Sequence, residues 1–150
     1  MIAVVQRVSE ASVTIHERIK SSINQGLCIL VGIAQNDTIE DAEWLCNKIT
    51  TMRIFGDQEG KMNLSLKEIN GELLVISQFT LQASTKKGNR PSFLEAARPE
   101  IAIQLYNKFI SLCDEELDIN VKTGEFGADM KITIINDGPV TILLDSKNKK

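Results

Sequence analysis

Leu73-Leu74-Val75-Ile76-Ser77-Gln78-Phe79-Thr80-Leu81-Gln82-Ala83 is the stretch around which the rest of the chain arranges itself. Its first four residues are apolar and two of them are β-branched, the composition of a strand buried on both faces. Ser77, Gln78, Phe79 and Thr80 then bring a hydroxyl, an amide, a ring and a second hydroxyl to the end of that strand. A buried polar group costs free energy unless it is paired. Such a cluster therefore either hydrogen-bonds within the protein or meets a ligand.

Outward from this strand, Leu27–Ala34 reads as a second fully buried strand and Ile2–Val8 as a third, central one. Ala11–His16 alternates Val13 and Ile15 with Ser12, Thr14 and His16, a half-buried strand whose hairpin partner returns along Glu17–Asn24. Thr38 offers an N-cap hydroxyl, with Glu40 and Asp41 in the first turn. Ala42, Leu45, Cys46, Ile49 and Met52 follow at helical spacing, so Thr38–Arg53 is expected to be an amphipathic helix. Pro99 suits the first position of a second helix, with Ala102, Leu105, Tyr106, Phe109 and Cys113 as its apolar stripe. Trp44 and Tyr106 are read as structural. A short strand at Ile119–Thr123 precedes two last strands, Lys131–Ile135 and Val140–Leu144, hinged on Gly138-Pro139. About eight strands and two helices make an α+β fold. It is expected as a single domain over residues 1–150, with curved, mixed or antiparallel, barrel-like sheets and the helices packed on one side.

Composition narrows the partners. With 43% hydrophobic and 25% charged residues, the chain is ordinary for a globular domain. Cys28, Cys46 and Cys113 are scattered through apolar patterns without CxxC spacing, which reads as reduced core thiols and not as a disulfide frame or zinc site. No metal or cofactor is expected. No apolar run approaches the ~20 residues that cross a bilayer, and Met1–Gln6 lacks the charged start and apolar stretch of a signal peptide. A cytoplasmic location without a membrane partner is the expectation. The net charge of −3 argues against a general nucleic-acid binder. The best basic patch is the glycine-bearing loop Lys86-Lys87-Gly88-Asn89-Arg90, just after the Ser77–Thr80 cluster, which reads either as a solvated loop or as a local contact for phosphates. The tail Lys147-Asn148-Lys149-Lys150 is also basic but is expected to fray.

A second motif stands near the C-terminus, Asn136-Asp137-Gly138-Pro139-Val140-Thr141, read as a turn between two strands. Gly138 tolerates backbone angles closed to other residues, and Pro139 admits a cis bond. Taken together, Ser77–Thr80 and Asn136–Thr141 resemble the Ser-Gln-Phe-Thr and Asn-x-Gly-Pro-Val-Thr motifs of the D-aminoacyl-tRNA deacylases. Ala3–Val8, Arg53-Ile54-Phe55, Gly60–Asn63, Arg90–Phe93 and Gly127–Met130 look like further signatures of that family, so the resemblance runs from Met1 to about Asp145. It implies a tRNA substrate and a homodimer in which the Gly-Pro turn of one subunit reaches into the active site of the other. It implies no DNA partner from any feature of this chain. The sequence departs from the family at His16-Glu17-Arg18, where a glycine usually makes the hairpin turn.

The residues constrain the chemistry independently. His16, the one histidine, lies far in sequence from Ser77 and Thr80, so a Ser/His/Asp triad is not expected. Paired carboxylates are not evident near either motif. The reaction must therefore be an easy one, or the substrate must assist it. An aminoacyl-tRNA is an activated ester whose terminal ribose carries a neighbouring 2′-hydroxyl. An enzyme acting on it needs mainly positioning and an oxyanion site of backbone N–H groups. The Phe79 and Thr80 amides are the candidates for that site. Ser77 and Gln78 would hold the terminal adenosine and ribose, Phe79 would wall the pocket, and Thr80 as nucleophile stays open.

Chirality falls to Gly138-Pro139, whose carbonyls would bond the substrate amino group and leave no room for an L side chain. Glycine would pass such a filter, so glycyl-tRNA(Ala) is an expected second substrate. Arg7 either braces this turn by bonding its carbonyls or forms a salt bridge at a sheet edge, and Met130 is either a pocket residue or core. Two alternatives remain. One is a hydrolase using Thr80 on small amides or esters; the other is a non-catalytic module that binds tRNA ends.

Overall fold

The computed structural model describes residues 1–149. Its centre is β1, Ile2–Ile15, a single strand of 14 residues where the sequence predicts two. The break expected at Ser9-Glu10 is a bulge. Both side chains are exposed there, and the ladder to the neighbouring strand shifts between Val8 and Glu10. The slip re-aims the strand: Ala3 and Val5 face one core, and Val8, Ala11, Val13 and Ile15 face another.

β2 (Arg18–Ile23) and β3 (Gly26–Gly32) run along the same side of β1 as one long hairpin arm, with pairs from Ala11↔Ile23 through Val8↔Gly26 to Ile2↔Gly32. The turn at the tip holds His16 at φ +49° and Glu17 at φ +62°. Two successive left-handed residues are what a tight primed hairpin turn requires. This chain meets the requirement without glycine, at a cost of about 1 kcal/mol per residue.

The two buried strands of the sequence reading are β3 and β6 (Glu72–Ser77), paired in parallel from Gly26↔Glu72 to Val31↔Ser77. β7, Lys122–Thr123, adds a short parallel strand beyond β6 and is shorter than Ile119–Thr123 predicts. The sheet then curls: the Ser21 hydroxyl on β2 donates to the Thr123 carbonyl at 2.6 Å. Val8, Val13, Ile23, Cys28, Leu74 and Ile76 fill the inside of this nearly closed barrel. Leu27, Ile29, Leu73 and Val75 point the other way, onto α1 (Ile39–Thr51) and α2 (Pro99–Leu117). Alternate residues of β3 and β6 thus serve two cores, which is why both strands read as unbroken apolar runs. A small hairpin, β4 (Phe55–Gly56) with β5 (Met62–Leu64), sits apart. All three cysteines are buried free thiols, and the predicted stripe of α2 is its buried face. No helix among the described residues is long and apolar enough to cross a membrane.

β8, Lys131–Asp145, corrects the expected C-terminal hairpin. It is one strand lying antiparallel to β1 over nearly its full length. Between Val8↔Asn136 and Gln6↔Thr141 the chain leaves the ladder as a loop of residues 137–140 and rejoins the same strand. The Gly-Pro dipeptide does mark a turn, but the turn returns the chain to its own direction.

The tail is pinned where fraying is expected. The Ser146 amide donates to the Met1 carbonyl, Lys147 Nζ meets Asp41 at 2.6 Å, and Lys149 Nζ lies 5.1 Å from the centre of the Trp44 ring. Lys150 falls outside the described residues. Burial alone would raise the Asp41 carboxyl, but Lys147, Ser146 and the Thr38 amide together hold it well below the usual carboxylate range. A depressed carboxylate stabilises the fold above the unfolded-chain value, about pH 4, and that stability fades as pH falls below it. Asp41→Asn is therefore expected to lower the urea midpoint at about pH 7, with the gap to the parent narrowing below about pH 4. A constant gap across that range would show that the carboxylate charge contributes nothing.

Candidate active site

β6 delivers Ser77 to the rim of the sheet, and the Gln78 amide extends the ladder by donating to the Val31 carbonyl at 2.7 Å. The chain then tightens into a 3₁₀ turn, Phe79–Gln82, where a plain strand end is expected. The Gln82 side chain clamps that turn to β3 through the Gly32 carbonyl at 2.9 Å. The Phe79 and Thr80 amides lead the turn and donate to no acceptor among the described residues. Two adjacent N–H groups thus stand free at the edge of the cluster.

Ser77, Gln78 and Phe79 open onto a cleft of about 550 Å³. Its far wall comes from Phe126, Asp129 and Met130, and its floor from Pro99 and Ala102 at the start of α2. Met130 is therefore a cleft residue, and its sulfur also lies 3.5 Å from the Glu125 amide. Tyr106 is structural, as expected, but with a consequence for the site. Its hydroxyl donates to the Val75 carbonyl at 2.9 Å, and its ring braces Phe126 edge-on at 5.8 Å. Burial raises the phenol well above its usual range, so it stays a neutral donor. Phe126 and Asp129 escape the sequence reading as site residues. Asp129 lies within the signature Gly127–Met130, and Phe126 immediately precedes it.

Thr80 does not line the cleft. Its Oγ1 accepts from the Gln78 side-chain amide at 2.6 Å. An amide N–H donates and takes up no proton, and no histidine or carboxylate bonds Thr80 among the described residues. The contact orients the hydroxyl without activating it.

The second motif lies in a different groove, lined by Gly138, Pro139, Asp137, Arg7, Phe55 and Met62. Asn136 closes the base of the loop by donating to the Arg7 and Val140 carbonyls at 3.3 and 3.1 Å. Arg7 ties the loop to the β4 approach: Nε donates to the Asp137 carbonyl at 3.0 Å and Nη1 to the Ile54 carbonyl at 2.6 Å. It also stands 3.9 Å from the Asp137 carboxylate, an ion pair made from the central strand β1, which β3 and β8 flank, and not from a sheet edge. The carbonyl it bonds is that of Asp137, one residue before the dipeptide. Gly138 sits at φ +130°, a region that excludes side chains, and the Gly138-Pro139 bond is cis. The two cavities share no lining residue.

Lys86, Lys87 and Arg90 line neither cavity. They project from an exposed loop closed by paired backbone bonds between Ser84 and Ser92, at 2.8 and 2.9 Å, and make no ion pair among the described residues.

A family model for D-Tyr-tRNA(Tyr) deacylase matches residues 4–145. The chain is similar to the D-aminoacyl-tRNA deacylase of Cytophaga hutchinsonii, at 63% identity, and to that of Flavobacterium psychrophilum, at 60%, over the whole of each chain. Among solved structures, a c-Myc DNA Unwinding Element Binding Protein superposes with a TM-score of 0.91 at 42% identity, covering 97% of this chain and 98% of the other. A probable eukaryotic D-amino acid tRNA deacylase shares the fold, with a TM-score of 0.83 at 15% identity over 95% and 97% of the two chains. A family match over nearly the whole chain, with full-length relatives this similar, places the chain in the D-Tyr-tRNA(Tyr) deacylase family.

Proposed function

We propose that the Ser77–Phe79 cleft receives the aminoacylated 3′ end of a tRNA, and that the Gly138-Pro139 loop of a second copy completes the site. The chain is a hydrolase of ester bonds, a D-aminoacyl-tRNA deacylase: water attacks the ester carbonyl, the bond to the ribose oxygen breaks, and D-amino acid and tRNA leave. The cytoplasm, where aminoacyl-tRNA is consumed, is the place for this reaction.

The observation that carries the reading is the pair of free amides beside the cleft. The Phe79 and Thr80 N–H groups have no acceptor among the described residues and can take the charge that develops on the carbonyl oxygen. Ser77 and Gln78 hold the terminal adenosine and ribose, with Phe79, Phe126 and Met130 as apolar walls. Among the described residues no side chain in the cleft is paired as a nucleophile with a base, so the ribose 2′-hydroxyl is assigned the task of orienting the attacking water. Thr80→Ala is accordingly expected to lower kcat by no more than about tenfold, where loss of a true nucleophile costs roughly a millionfold. Single-turnover deacylation decides between the two.

The second copy is supported by the separation of the motifs. In one chain the Gly138-Pro139 loop and the Ser77–Phe79 cleft line separate cavities with no residue in common. It is carried by β8, which among the described residues pairs only with β1 and leaves its other edge bare on both sides of the loop, with Ile135 and Leu143 51% and 66% exposed. A long, partly apolar edge of this kind calls for cover. A two-fold dimer through it would present each loop to the other subunit's cleft. There the loop rejects an L side chain and admits a D side chain or none, so glycyl-tRNA(Ala) is a substrate as well.

Matched time courses with D-tyrosyl- and L-tyrosyl-tRNA test the reading. Loss of the D ester alone supports it, equal loss of both removes the rejecting loop, and binding without turnover leaves only a tRNA-end module. A glycyl ester as stable as the L ester would remove the glycine arm.

A further inference from the structure

The rim of the cleft continues outward in a form the reaction itself does not use. Phe79 lines the cleft and is 58% exposed; Phe93 lies outside it, 39% exposed, with its ring edge-to-face on Phe79 at a centroid distance of 5.2 Å. Leu94, the next residue, is 82% exposed. None of this is loose chain. Ser92 is bonded to Ser84 through both backbone groups. Immediately after Phe93, Gln35 holds the Leu94 carbonyl at 2.6 Å and the Glu95 carbonyl at 3.1 Å, and the Ala97 amide reaches Ile33 at 2.9 Å. An aromatic ring on a fixed backbone, turned to solvent beside a binding cleft, is a surface kept for a partner.

We propose that Phe93 is the stacking platform for the nucleotide immediately 5′ of the terminal adenosine, with Lys86, Lys87 and Arg90 meeting the phosphates that follow. The proposal rests on the reading that the cleft holds the aminoacylated end. Three observations select this occupant. The surface is continuous with the cleft through Phe79, so a strand leaving the cleft crosses it. The three cations of residues 86–90 adjoin it in sequence and are unpaired among the described residues. A single strand, unlike a duplex, offers a free base face and a phosphate at every step.

The test uses two substrates for one reaction, D-tyrosyl-tRNA and the minimal ester D-tyrosyl-adenosine. Phe93→Ala is expected to raise KM for the tRNA about tenfold, the size of one lost stacked base, and to move KM for the adenosine ester by less than about twofold. Phe93→Trp is expected to restore the KM for tRNA. Replacing Lys86, Lys87 and Arg90 together by alanine should flatten the salt dependence of KM for tRNA alone. An equal rise on both substrates would mean that Phe93 only shapes the cleft, and the proposal would fall. Unchanged KM on both, or no restoration by tryptophan, overturns it as well. If the unaltered protein hydrolyses neither ester, the reading of the cleft itself has failed, which the other outcomes do not resemble.

Discussion

Gly138→Ala is expected to slow D-tyrosyl-tRNA deacylation by about a hundredfold or more while leaving the fold in place. A Cβ at this position would stand 2.8 Å from Arg7 Nη2, 2.9 Å from Val140 Cγ2 and 3.1 Å from the Val140 amide nitrogen. Arg7 cannot simply swing away, because its two bonds to the Asp137 and Ile54 carbonyls hold it in place. The backbone angle of φ +130° adds strain of about 1–3 kcal/mol for any residue but glycine. The loop must therefore move, and a shift of about 1 Å in a positioning group costs on the order of a hundredfold in rate. The sheet need not move with it. Asn136 and Thr141 pair with β1 on either side of the loop, and the loop residues lie outside that ladder. Thermal melting should thus shift by only a few degrees while single-turnover deacylation collapses. A variant with unaltered rate would show that the loop takes no part in the reaction.

The cores were legible in the sequence because each follows from burial alone. Leu27–Val31 and Leu73–Ile76 read as doubly buried strands, and they are the parallel pair that separates the helices from the barrel interior. The stripes of α1 and α2 read just as directly, since a helix face against a sheet must be apolar at a fixed period. What failed was continuity. A bulge and a turn use the same residues, so Ser9-Glu10 and Asp137-Gly138-Pro139 looked like ends when they are interruptions of β1 and β8. The 3₁₀ turn at Phe79–Gln82 was hidden for another reason: it is held by Gln82 reaching back to Gly32, a contact that local propensity does not encode.

The candidate site divides in the same way. Its near wall, Ser77–Phe79, is contiguous and so was visible as a motif. Its far wall is Phe126, Asp129 and Met130, brought across by the chain after β7, and only one of the three stood out. Arg7 was singled out, but its bond to Ile54 was not, because that partner is set by where the chain passes after α1. Polar residues betray a site when several share a segment; a wall of two apolar side chains and a single exposed carboxylate does not.

Two inactive variants mixed together are expected to recover about one quarter of the parental activity, if the loop acts across a two-fold interface. One partner is Gly138→Ala, with a sound cleft and a displaced loop. The other is Asp129→Trp, which keeps its loop but fills the cleft from an exposed position where the native side chain makes no hydrogen bond among the described residues. When the two are unfolded and refolded as an equal mixture, about half of the dimers contain one of each. In such a dimer the cleft of the first chain meets the loop of the second, and that site is whole; the other carries both defects. One good site in half of the dimers gives the quarter. If each loop served the cleft of its own chain, no pairing would bring a sound cleft to a sound loop, and the mixture would stay as inactive as its components. The two variants refolded separately and then combined give the baseline, since subunits that do not exchange cannot complement. Recovery only after joint refolding therefore assigns the Gly138-Pro139 loop to the neighbouring subunit, and its absence returns the loop to a role within its own chain.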